Sequence, residues 1–575
     1  MSCSHRSRIV GLVVAAASTV SLALARPFPQ SCETLRVSRA STPLASSATL
    51  PALSGDGRYV AFLSSASNLV ANDTNGVADV FLWDATTRTI ERVSVSSTGA
   101  QATWASGAPN GGRCVSVSAD ARYVAFDCVD GALDPASLAP TATWSDPYLY
   151  VRDRQLGTTT RYGSGLYPDL SADGHLLAFV SGAFQLYVRD LTTGALTHAS
   201  VTNGGATLSD ASGASNWHMG GPEFDGFDLS ANGRFVAFHT YAAELFPPPN
   251  YTGGVAVRDL VLATTTALGD GDFFFPVVAD DGTVVAAEFP AAGGSLVAYA
   301  PPSYAPSALY APSGVGGFAV PGGITPDGRY VAFGNTAPNV WVPDANGSIA
   351  DVLVVDRTTG ALRLSSQSDS SAQGNAASVG ASISDDGARV AFTSSATNLV
   401  ASDGSAAPQV FLRACVDAPS VLCPGDGTAT PCPCGNSGAS GHGCASSSNA
   451  AGAWLVANGV ASAFADTLSL ASSGTTNGVV LFVQSTEAQN GGLGVPLGDG
   501  VLCVGGSILR LGTMQASGGL SQYPNVGQAS ISVRGQIPPG GGVTRVYQAR
   551  YRNSASFCTP DTFNLSNAIA IEWLP

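Results

Sequence analysis

The chain of 575 residues contains no lysine, so all 26 of its basic residues are arginine. Charged residues make up only 12% of the chain, and 41 acidic side chains give a formal net charge of −15. Nucleic acid and anionic membranes are bound by clustered cations, so this composition argues against both as partners. The scarcity of charge also leaves little material for the solvent-facing sides of long amphipathic helices.

What the chain does contain favours short strands joined by tight turns. Hydrophobic residues make up 45% of it, which excludes an intrinsically disordered protein. Glycine (67) and proline (34) together account for 101 of 575 residues. This composition predicts an all-β fold, and the length allows one large repeat domain plus a smaller one.

The first 25 residues are typical of a cleaved secretory signal. Arg6 and Arg8 precede an uncharged apolar run over residues 9–24, and Ala23-Leu24-Ala25 offers a small-x-small cleavage site. The alternative is an uncleaved anchor, but the run is short for a membrane span. We therefore expect a secreted, periplasmic or cell-envelope protein without a later transmembrane segment. The mature chain has 24 arginines and 41 acids, a net charge of −17.

Cysteine usage agrees with export. Cleavage removes Cys3 and leaves ten cysteines, and an even number in an exported chain predicts disulfides. The ten are Cys32, Cys114, Cys128, Cys415, Cys423, Cys432, Cys434, Cys444, Cys503 and Cys558.

One phrase occurs seven times along the chain. Its clearest form, Asp-Gly-Arg-Tyr-Val-Ala-Phe, begins at Asp56 and again at Asp327. The seven copies begin at Asp56, Asp120, Asp173, Asn232, Asp281, Asp327 and Asp386. Successive starts differ by 64, 53, 59, 49, 46 and 59 residues, which indicates a repeat architecture.

Each copy predicts a four-stranded antiparallel sheet. The Asp-Gly pair forms a tight turn, because glycine adopts positive φ without a Cβ clash, and short apolar runs flank it. A second hairpin follows in the clearer copies, such as residues 79–84 and 90–95. Because one such sheet cannot bury both faces, neighbouring sheets are expected to stack around an axis.

These residues resemble the TolB-like β-propeller repeat family, over residues 34–416. The shared features are the Asp-Gly-Arg-Tyr-Val-Ala-Phe turn and the later Val-x-Asp. The resemblance implies a seven-bladed β-propeller over residues 26–417. It also implies a protein-binding role, although related propellers carry enzyme sites. Copy five departs most from the pattern, since it lacks the arginine and the final phenylalanine.

The seventh copy lacks a fourth strand at its own end. Residues 33–38 match the strand that ends the first unit, so we infer that the N-terminal strand completes the seventh sheet. Cys32 and Cys415 would then meet in a disulfide, unless both pair elsewhere. Cys114 and Cys128 flank a turn and are expected to form a cross-strand disulfide, with two unpaired cysteines as the alternative.

After Asp417 the composition changes. Cys423, Cys432, Cys434 and Cys444 lie within 22 residues, and either a metal site with His442 or two disulfides would explain them. Their spacing does not fit common zinc sites, so disulfides are favoured. Residues 418–445 are interpreted as a Cys- and Gly-rich linker. Residues 446–575 are interpreted as a small β-sandwich-like domain in which Cys503 pairs with Cys558. The segment and this domain resemble a module of secreted bacterial proteins.

No catalytic motif stands out, so we expect a binding or scaffold protein rather than an enzyme, and a monomer. The partner is expected to be a protein or carbohydrate, held on one face or in the central funnel. The alternative is a polysaccharide lyase or glycoside hydrolase with its site in that funnel. Aromatic and acidic residues over 144–150 and 217–228 either line a groove or pack internally. We expect no organic cofactor.

Two loops offer oxygen ligands typical of calcium sites, although Asx turns favour the same residues. They occupy equivalent places in units one and six. The candidate ligands are Asp73, Asn75, Asp79, Asp344, Asn346 and Asp351.

Overall fold

A computed structural model shows the fold. It describes residues 31–39, 46–103, 105–106, 115–134, 147–181, 184–209, 226–246, 253–270, 273–288, 294–310, 317–337, 344–401, 407–416, 419–463, 466–539, 542–554 and 557–574. The proposed signal (residues 1–25) and Cys114 lie outside these residues.

Nearly all of the regular secondary structure in the described residues is β-strand, which confirms the predicted all-β class. Seven four-stranded antiparallel sheets follow one another, and we call them blades 1 to 7. The first strand of the chain is β1 (Ser31–Arg36). Blades 1 to 3 are formed by β2 (Ala48–Leu53), β3 (Tyr59–Ser64), β4 (Asp79–Asp84), β5 (Thr89–Arg92); β6 (Val115–Val117), β7 (Tyr123–Cys128), β8 (Tyr148–Asp153), β9 (Thr158–Ser164); and β10 (Leu166–Leu170), β11 (Leu176–Val180), β12 (Leu186–Asp190), β13 (Leu196–His198).

The remaining blades have the same order. They are formed by β14 (Phe227–Leu229), β15 (Phe235–Thr240), β16 (Gly254–Asp259), β17 (Thr264–Asp270); β18 (Phe273–Val278), β19 (Val284–Glu288), β20 (Ser295–Tyr299), β21 (Pro306–Tyr310); β22 (Ala319–Ile324), β23 (Tyr330–Asn335), β24 (Asp351–Asp356), β25 (Leu362–Leu364); and β26 (Ser378–Ile383), β27 (Arg389–Ser394), β28 (Gln409–Val416). Apolar side chains from adjacent blades pack against each other and form the propeller core.

The repeated phrase forms the turn between the first two strands of each blade. In blade 1, Ser54 Oγ donates to Asp56 Oδ1 (2.5 Å), which also accepts the Arg58 amide (2.9 Å). Gly57 has φ of +70°, and a Cβ there would lie 2.5 Å from Arg389 Cδ of the neighbouring blade. Glycine is therefore required both by the backbone conformation and by the close approach of the next blade.

The repeat arginine and the later repeat aspartate contact each other. Arg58 donates Nε and Nη2 to the two carboxylate oxygens of Asp84, at 2.9 and 2.8 Å. The same Arg–Asp pair occurs in blades 2, 4 and 6 as Arg122–Asp153, Arg234–Asp259 and Arg329–Asp356. This pairing ties the first turn of a blade to the end of its third strand, and it explains why both residues recur together.

The N-terminal strand completes blade 7. β1 pairs antiparallel with β28, and Cys32 lies opposite Cys415, to which it is disulfide-bonded. Thr34 Oγ1 donates to the Gln367 carbonyl of blade 6 (2.6 Å) and accepts from Arg413 (2.7 Å). Thr159 and Thr265, on the fourth strands of blades 2 and 4, likewise donate to a carbonyl of the preceding blade and accept from an arginine on the third strand of their own blade. β1 therefore occupies the fourth-strand place of blade 7 in register and in side-chain contacts.

The C-terminal domain packs two sheets against each other. It contains β29 (Ser420–Leu422), β30 (Trp454–Asn458), β31 (Ser469–Ser473), β32 (Gly478–Ala488), β33 (Val495–Leu497), β34 (Gly500–Leu502), β35 (Val504–Ala516), β36 (Ser521–Tyr523), α1 (Ile531–Arg534), β37 (Val543–Arg552) and β38 (Phe563–Trp573). The larger sheet has the order β29-β38-β37-β32-β35 and the smaller β30-β31-β36. Phe482 and Tyr547 from the first meet Leu455 and Leu470 from the second in one core, as a β-sandwich requires.

The pairing expected between Cys503 and Cys558 is wrong. Cys503 is bonded to Cys423, and Cys558 is bonded to Cys434, while Cys432 pairs with Cys444. The reason is that the Cys-rich segment is not a separate linker. It contributes the edge strand β29 and packs across the larger sheet, so its cysteines reach those of the sandwich.

Among the described residues, no helix has the length and hydrophobicity needed to span a bilayer.

Candidate binding site: the central channel and its mouth

The first strand of every blade lines a central channel of about 200 Å³. Most of its lining is aliphatic or proline, including Leu50, Leu170, Leu229, Pro321 and Ile383. The channel opens on the side of the repeated turns, where Gly55, Ala119, Ala172, Ala231, Pro326 and Asp385 reach it.

Bulges in the first strands shape the channel wall. The register shifts between Thr49 and Ala52 in blade 1, and between Phe274 and Val277 in blade 5. At these bulges Leu50 and Phe275 adopt φ of +57° and +55°, a conformation that L side chains rarely take. Both side chains line the channel, so the bulges aim apolar groups toward the axis.

Two carboxylates line the channel on adjacent blades. Asp169 and Asp228 are buried, at 4% and 9% exposure. Asp169 Oδ2 accepts the Leu229 amide of blade 4 (2.9 Å), and Asp228 Oδ2 accepts the Val278 amide of blade 5 (2.8 Å). Ser116 and Ser382 stand at the same place in blades 2 and 7 and accept an amide of the next blade in the same way. The position therefore links each of these blades to its neighbour.

Carboxylates are concentrated on the repeated turns at the side where the channel opens, and one of them, Asp385, lines the channel itself. They come from the turn residue of six blades and from the preceding position in blades 5 and 7: Asp56, Asp120, Asp173, Asp280, Asp281, Asp327, Asp385 and Asp386. Burial, and then the carboxylates of Asp386, Asp280 and Asp56, raise the pKa of Asp385. These acids come from blades 1, 5 and 7, so the turns of these three blades lie near enough for their charges to act on Asp385.

Backbone hydrogen bonds link neighbouring turns around the channel mouth. The Ala119 amide donates to the Ala172 carbonyl (2.8 Å), and the Ala172 amide to the Ala231 carbonyl (2.8 Å). Blades 5 and 7 continue the pattern through Asp280, which donates to Pro326 (3.0 Å), and Asp385, which donates to Gly55 (2.9 Å). Pro326 has no N–H, so blade 6 cannot donate at this position. The carboxylates thus stand on turns that are hydrogen-bonded to one another, and we call these turns the rim of the channel.

The calcium-type loop of blade 1 holds its oxygens through an arginine. Asn75 Nδ2 donates to Asp79 Oδ2 (2.7 Å), and Arg92 Nη1 lies 3.0 Å from Asp73 Oδ1 and 3.6 Å from Asp79 Oδ2. The guanidinium therefore supplies the positive charge between the two carboxylates.

The equivalent loop of blade 6 brings its three predicted ligands together without that arginine. Leu364 stands in the register position of Arg92. Gln373 Nε2 lies 3.2 Å from Asp344 Oδ1, 3.0 Å from Asn346 Oδ1 and 2.5 Å from Asp351 Oδ2. Burial raises the pKa of Asp351. Three oxygens thus converge on one amide nitrogen, which has only two hydrogens and cannot donate a separate hydrogen bond to each of them.

The described histidines have structural surroundings. His239 is buried between Tyr241 and Phe274, and burial lowers its pKa to about 4. His175 is exposed in its turn beside Asp173, and His442 stacks on Trp454.

The aromatic segments are placed only in part. Tyr148 and Tyr150 are buried in β8, which favours internal packing for this pair. Trp144 and Trp217 lie outside the described residues. The cross-strand bond expected between Cys114 and Cys128 stays a prediction, since only Cys128, buried in β7, is described.

The channel residues were not singled out from the sequence. A signal was available, because Asp169 and Asp228 both stand two positions before the serine of the repeated turn. Asp280 and Asp385 likewise share the position before the turn aspartate. Aligning the seven copies on their turns would have shown that each pair occupies equivalent positions in its blades.

The fold is that of a β-propeller followed by a β-sandwich. No family model matches the chain, and no curated protein matches it. Among solved structures it is similar to TolB from Acinetobacter baumannii, with 19% identity and a TM-score of 0.28, over 44% of this chain and 52% of that one. The chain therefore spans about half the length of that relative.

Two further solved structures are similar to parts of this chain. The β-propeller domain of the Trilobed protease from Pyrococcus furiosus has 10% identity and a TM-score of 0.38, over 62% of this chain and 90% of that one. A putative TolB from Agrobacterium tumefaciens has 14% identity and a TM-score of 0.30, over 50% and 91%.

Proposed function

We propose that the chain is an exported, seven-bladed binding protein that holds a positively charged protein segment at the mouth of its channel. The observation that carries this proposal is the group of carboxylates at the channel mouth, where Asp385 lines the channel and the charges of Asp386, Asp280 and Asp56 act on it. Lysine and arginine side chains, or a free amino terminus, are the protein groups that complement such a group of carboxylates. The function belongs to the periplasm, the cell envelope or the medium, in keeping with the signal-like N-terminus and four disulfides.

Electrostatics favour a cationic partner over a neutral glycan. Burial raises the pKa of Asp280, and the neighbouring charge of Asp281 adds to the effect. Asp385 is shifted in the same direction. A bound cation relieves this repulsion, so binding and deprotonation support each other. The channel wall below the rim is largely aliphatic, which suits the stem of a lysine or arginine side chain.

The alternative is a polysaccharide lyase or glycoside hydrolase in the same channel. The observation that favours it is the pair of buried carboxylates, Asp169 and Asp228, on adjacent blades. Each of them already accepts a backbone amide of the next blade, and Asp169 also accepts Ser116 Oγ (3.2 Å). These contacts give both groups a structural role, so we place binding before catalysis.

The test is binding of a hexalysine peptide to the full mature chain, measured by fluorescence anisotropy at low salt. Asp280→Asn/Asp385→Asn removes two rim charges and keeps the oxygen that accepts the Asn232 amide. We expect affinity to fall about fivefold or more, since each lost pair contributes about 0.5 kcal/mol or more. The control Glu487→Gln/Asp561→Asn removes two exposed charges from the sandwich and should bind as wild type. Equal affinities for both double variants would refute the proposal.

We also propose a calcium ion in the blade 6 loop. Its support is the convergence of Asp344, Asn346 and Asp351 oxygens where no arginine intervenes. Rotation of the Gln373 amide would present Oε1 as a fourth oxygen ligand. In blade 1 the Arg92 guanidinium occupies the corresponding place, so the proposal is limited to blade 6.

A further inference from the structure

The C-terminal domain differs from the propeller in how it uses arginine. Residues 26–417 contain 35 acids and 19 arginines, a net charge of −16, whereas residues 418–575 contain 6 and 5, a net charge of −1. Within the propeller, arginines such as Arg58, Arg122 and Arg234 are paired with carboxylates. The excess of acidic over basic residues is therefore far smaller in the sandwich than in the propeller.

Three of these five arginines lie on one face of the larger sheet. Side chains alternate between the faces of a strand, and Tyr551, Phe482 and Leu511 point into the sandwich core. Arg510 on β35, and Arg550 and Arg552 on β37, therefore point to the opposite side and are exposed. Between them on β32 lie Val479 and Leu481. We call these five residues the arginine face.

The arginine face is open and uncompensated. None of its three guanidinium groups forms an ion pair with a carboxylate in the part of the chain that the structure describes. Arg550 is held over the ring of Phe563, with its guanidinium carbon 3.9 Å from the ring centre, which leaves its N–H edges outward. The other half of the same sheet side is covered by the Cys-rich segment, so the open half is the part left for a partner.

We propose that the arginine face binds an anionic polysaccharide whose sugars carry carboxylate or phosphate groups. The guanidinium fork matches both anions bidentately. Arg550 and Arg552 are about 7 Å apart along β37, and Arg510 lies two strands away, so the charges are spread over a flat surface rather than gathered in a pocket. An extended polymer with repeated charges fits that layout.

Other anionic partners fit less well. A membrane surface calls for a contiguous set of apolar or aromatic side chains that insert. The exposed aliphatic side chains on this side of the sheet, Val479 (48% exposed) and Ile508 (52% exposed), stand apart, since Val479 pairs with Gln515 and Ile508 with Ser485. The remaining alternative partner is a second copy of this chain, which would bind the arginine face through its acidic propeller. The experiment below distinguishes it from a polysaccharide. The proposal does not depend on the function proposed for the channel mouth.

The test is binding of polygalacturonate to the full mature chain, with dextran as the uncharged reference. We expect wild type to bind polygalacturonate more weakly as salt rises, and not to bind dextran. Arg510→Gln/Arg550→Gln/Arg552→Gln should lose at least about tenfold in affinity. Replacing the same three by lysine should recover part of the loss, because the charge returns without the fork. The control Arg534→Gln/Arg545→Gln should remain within about twofold of wild type.

Three results would overturn the proposal. The first is absence of wild-type binding to polygalacturonate at low salt, and the second is a triple glutamine variant that binds as wild type does. The third comes from sedimentation velocity without polymer: concentration-dependent association of wild type that the triple variant abolishes would assign the face to a second copy. Unchanged melting temperature of the triple variant serves as the folding control, since all three side chains are exposed.

Discussion

The disulfide between Cys32 and Cys415 should stabilise the propeller more than any other covalent link in the chain. It joins residues 383 apart, and the unfolded chain loses loop entropy in proportion to the logarithm of that separation. The loop-closure relation gives at most about 6 kcal/mol for such a loop, against about 3 kcal/mol for a 12-residue loop such as that of Cys432–Cys444. With an unfolding entropy of roughly 0.8 kcal/mol/K for about 390 residues, 6 kcal/mol corresponds to a fall of about 7 °C in melting temperature.

Cys32→Ser/Cys415→Ser is the perturbation, and two measurements check it. Calorimetry of the mature chain should show the fall in melting temperature, with the protein still monomeric. Hydrogen exchange should show faster exchange in β1, while β27 in the same sheet stays protected. Cys432→Ser/Cys444→Ser is the control, because its bond lies within the sandwich and should leave β1 exchange unchanged. An unaltered melting temperature together with unaltered β1 protection would refute the loop-entropy reasoning.

Two further predictions concern charged groups of the propeller. Burial acts to raise the pKa of Asp356, but hydrogen bonds from Arg329 and the Thr358 amide outweigh it, so its pKa lies below the ordinary value. The stability that this pair contributes is therefore present at neutral pH and is lost as pH falls through the folded-state pKa. Asp356→Asn should cost about 1 kcal/mol at pH 7 and progressively less in acid, as urea unfolding at several pH values will show; an equal cost at all pH values would contradict the assignment. Calcium should raise the melting temperature of wild type and of Asp79→Asn but not that of Asp351→Asn, and a wild-type protein indifferent to calcium would rule out the blade 6 site.

Most of the propeller could be predicted from the sequence because its repeat is carried by residues with strict local requirements. The Asp-Gly turn, the arginine and the terminal aspartate each recur for a reason that acts within one blade. The fourth-strand place of β1 was also predictable, since residues 33–38 match the strand that ends blade 1. In contrast, the repeat analysis did not pair Arg58 with Asp84, because that contact joins two motifs that lie 26 residues apart.

The candidate sites were less predictable because they depend on contacts between elements. Asp385 and Asp280 come from blades 7 and 5, and their shared rim exists only after the ring has closed. The Cys503–Cys558 prediction failed for a similar reason: it assumed that the Cys-rich segment stood apart, whereas β29 joins the larger sheet. The two loops with calcium-type residues look alike in sequence, and only the structure shows that Arg92 enters one of them and that Leu364 replaces it in the other.

The position of β1 affects how the protein folds during its synthesis. Ribosomes build proteins from the amino terminus, so β1 is made before blades 1 to 6, while its partner β28 follows almost four hundred residues later. Until then β1 has no partner strand, and the Cys32 thiol has no Cys415 with which to form its disulfide. During that interval β1 has an unpaired edge that can pair with other strands, and Cys32 can form a disulfide with one of the cysteines between β1 and β28. The propeller thus closes on a strand that is made long before its partner, and the yield of folded protein will depend on β1 staying unpaired until β28 is available.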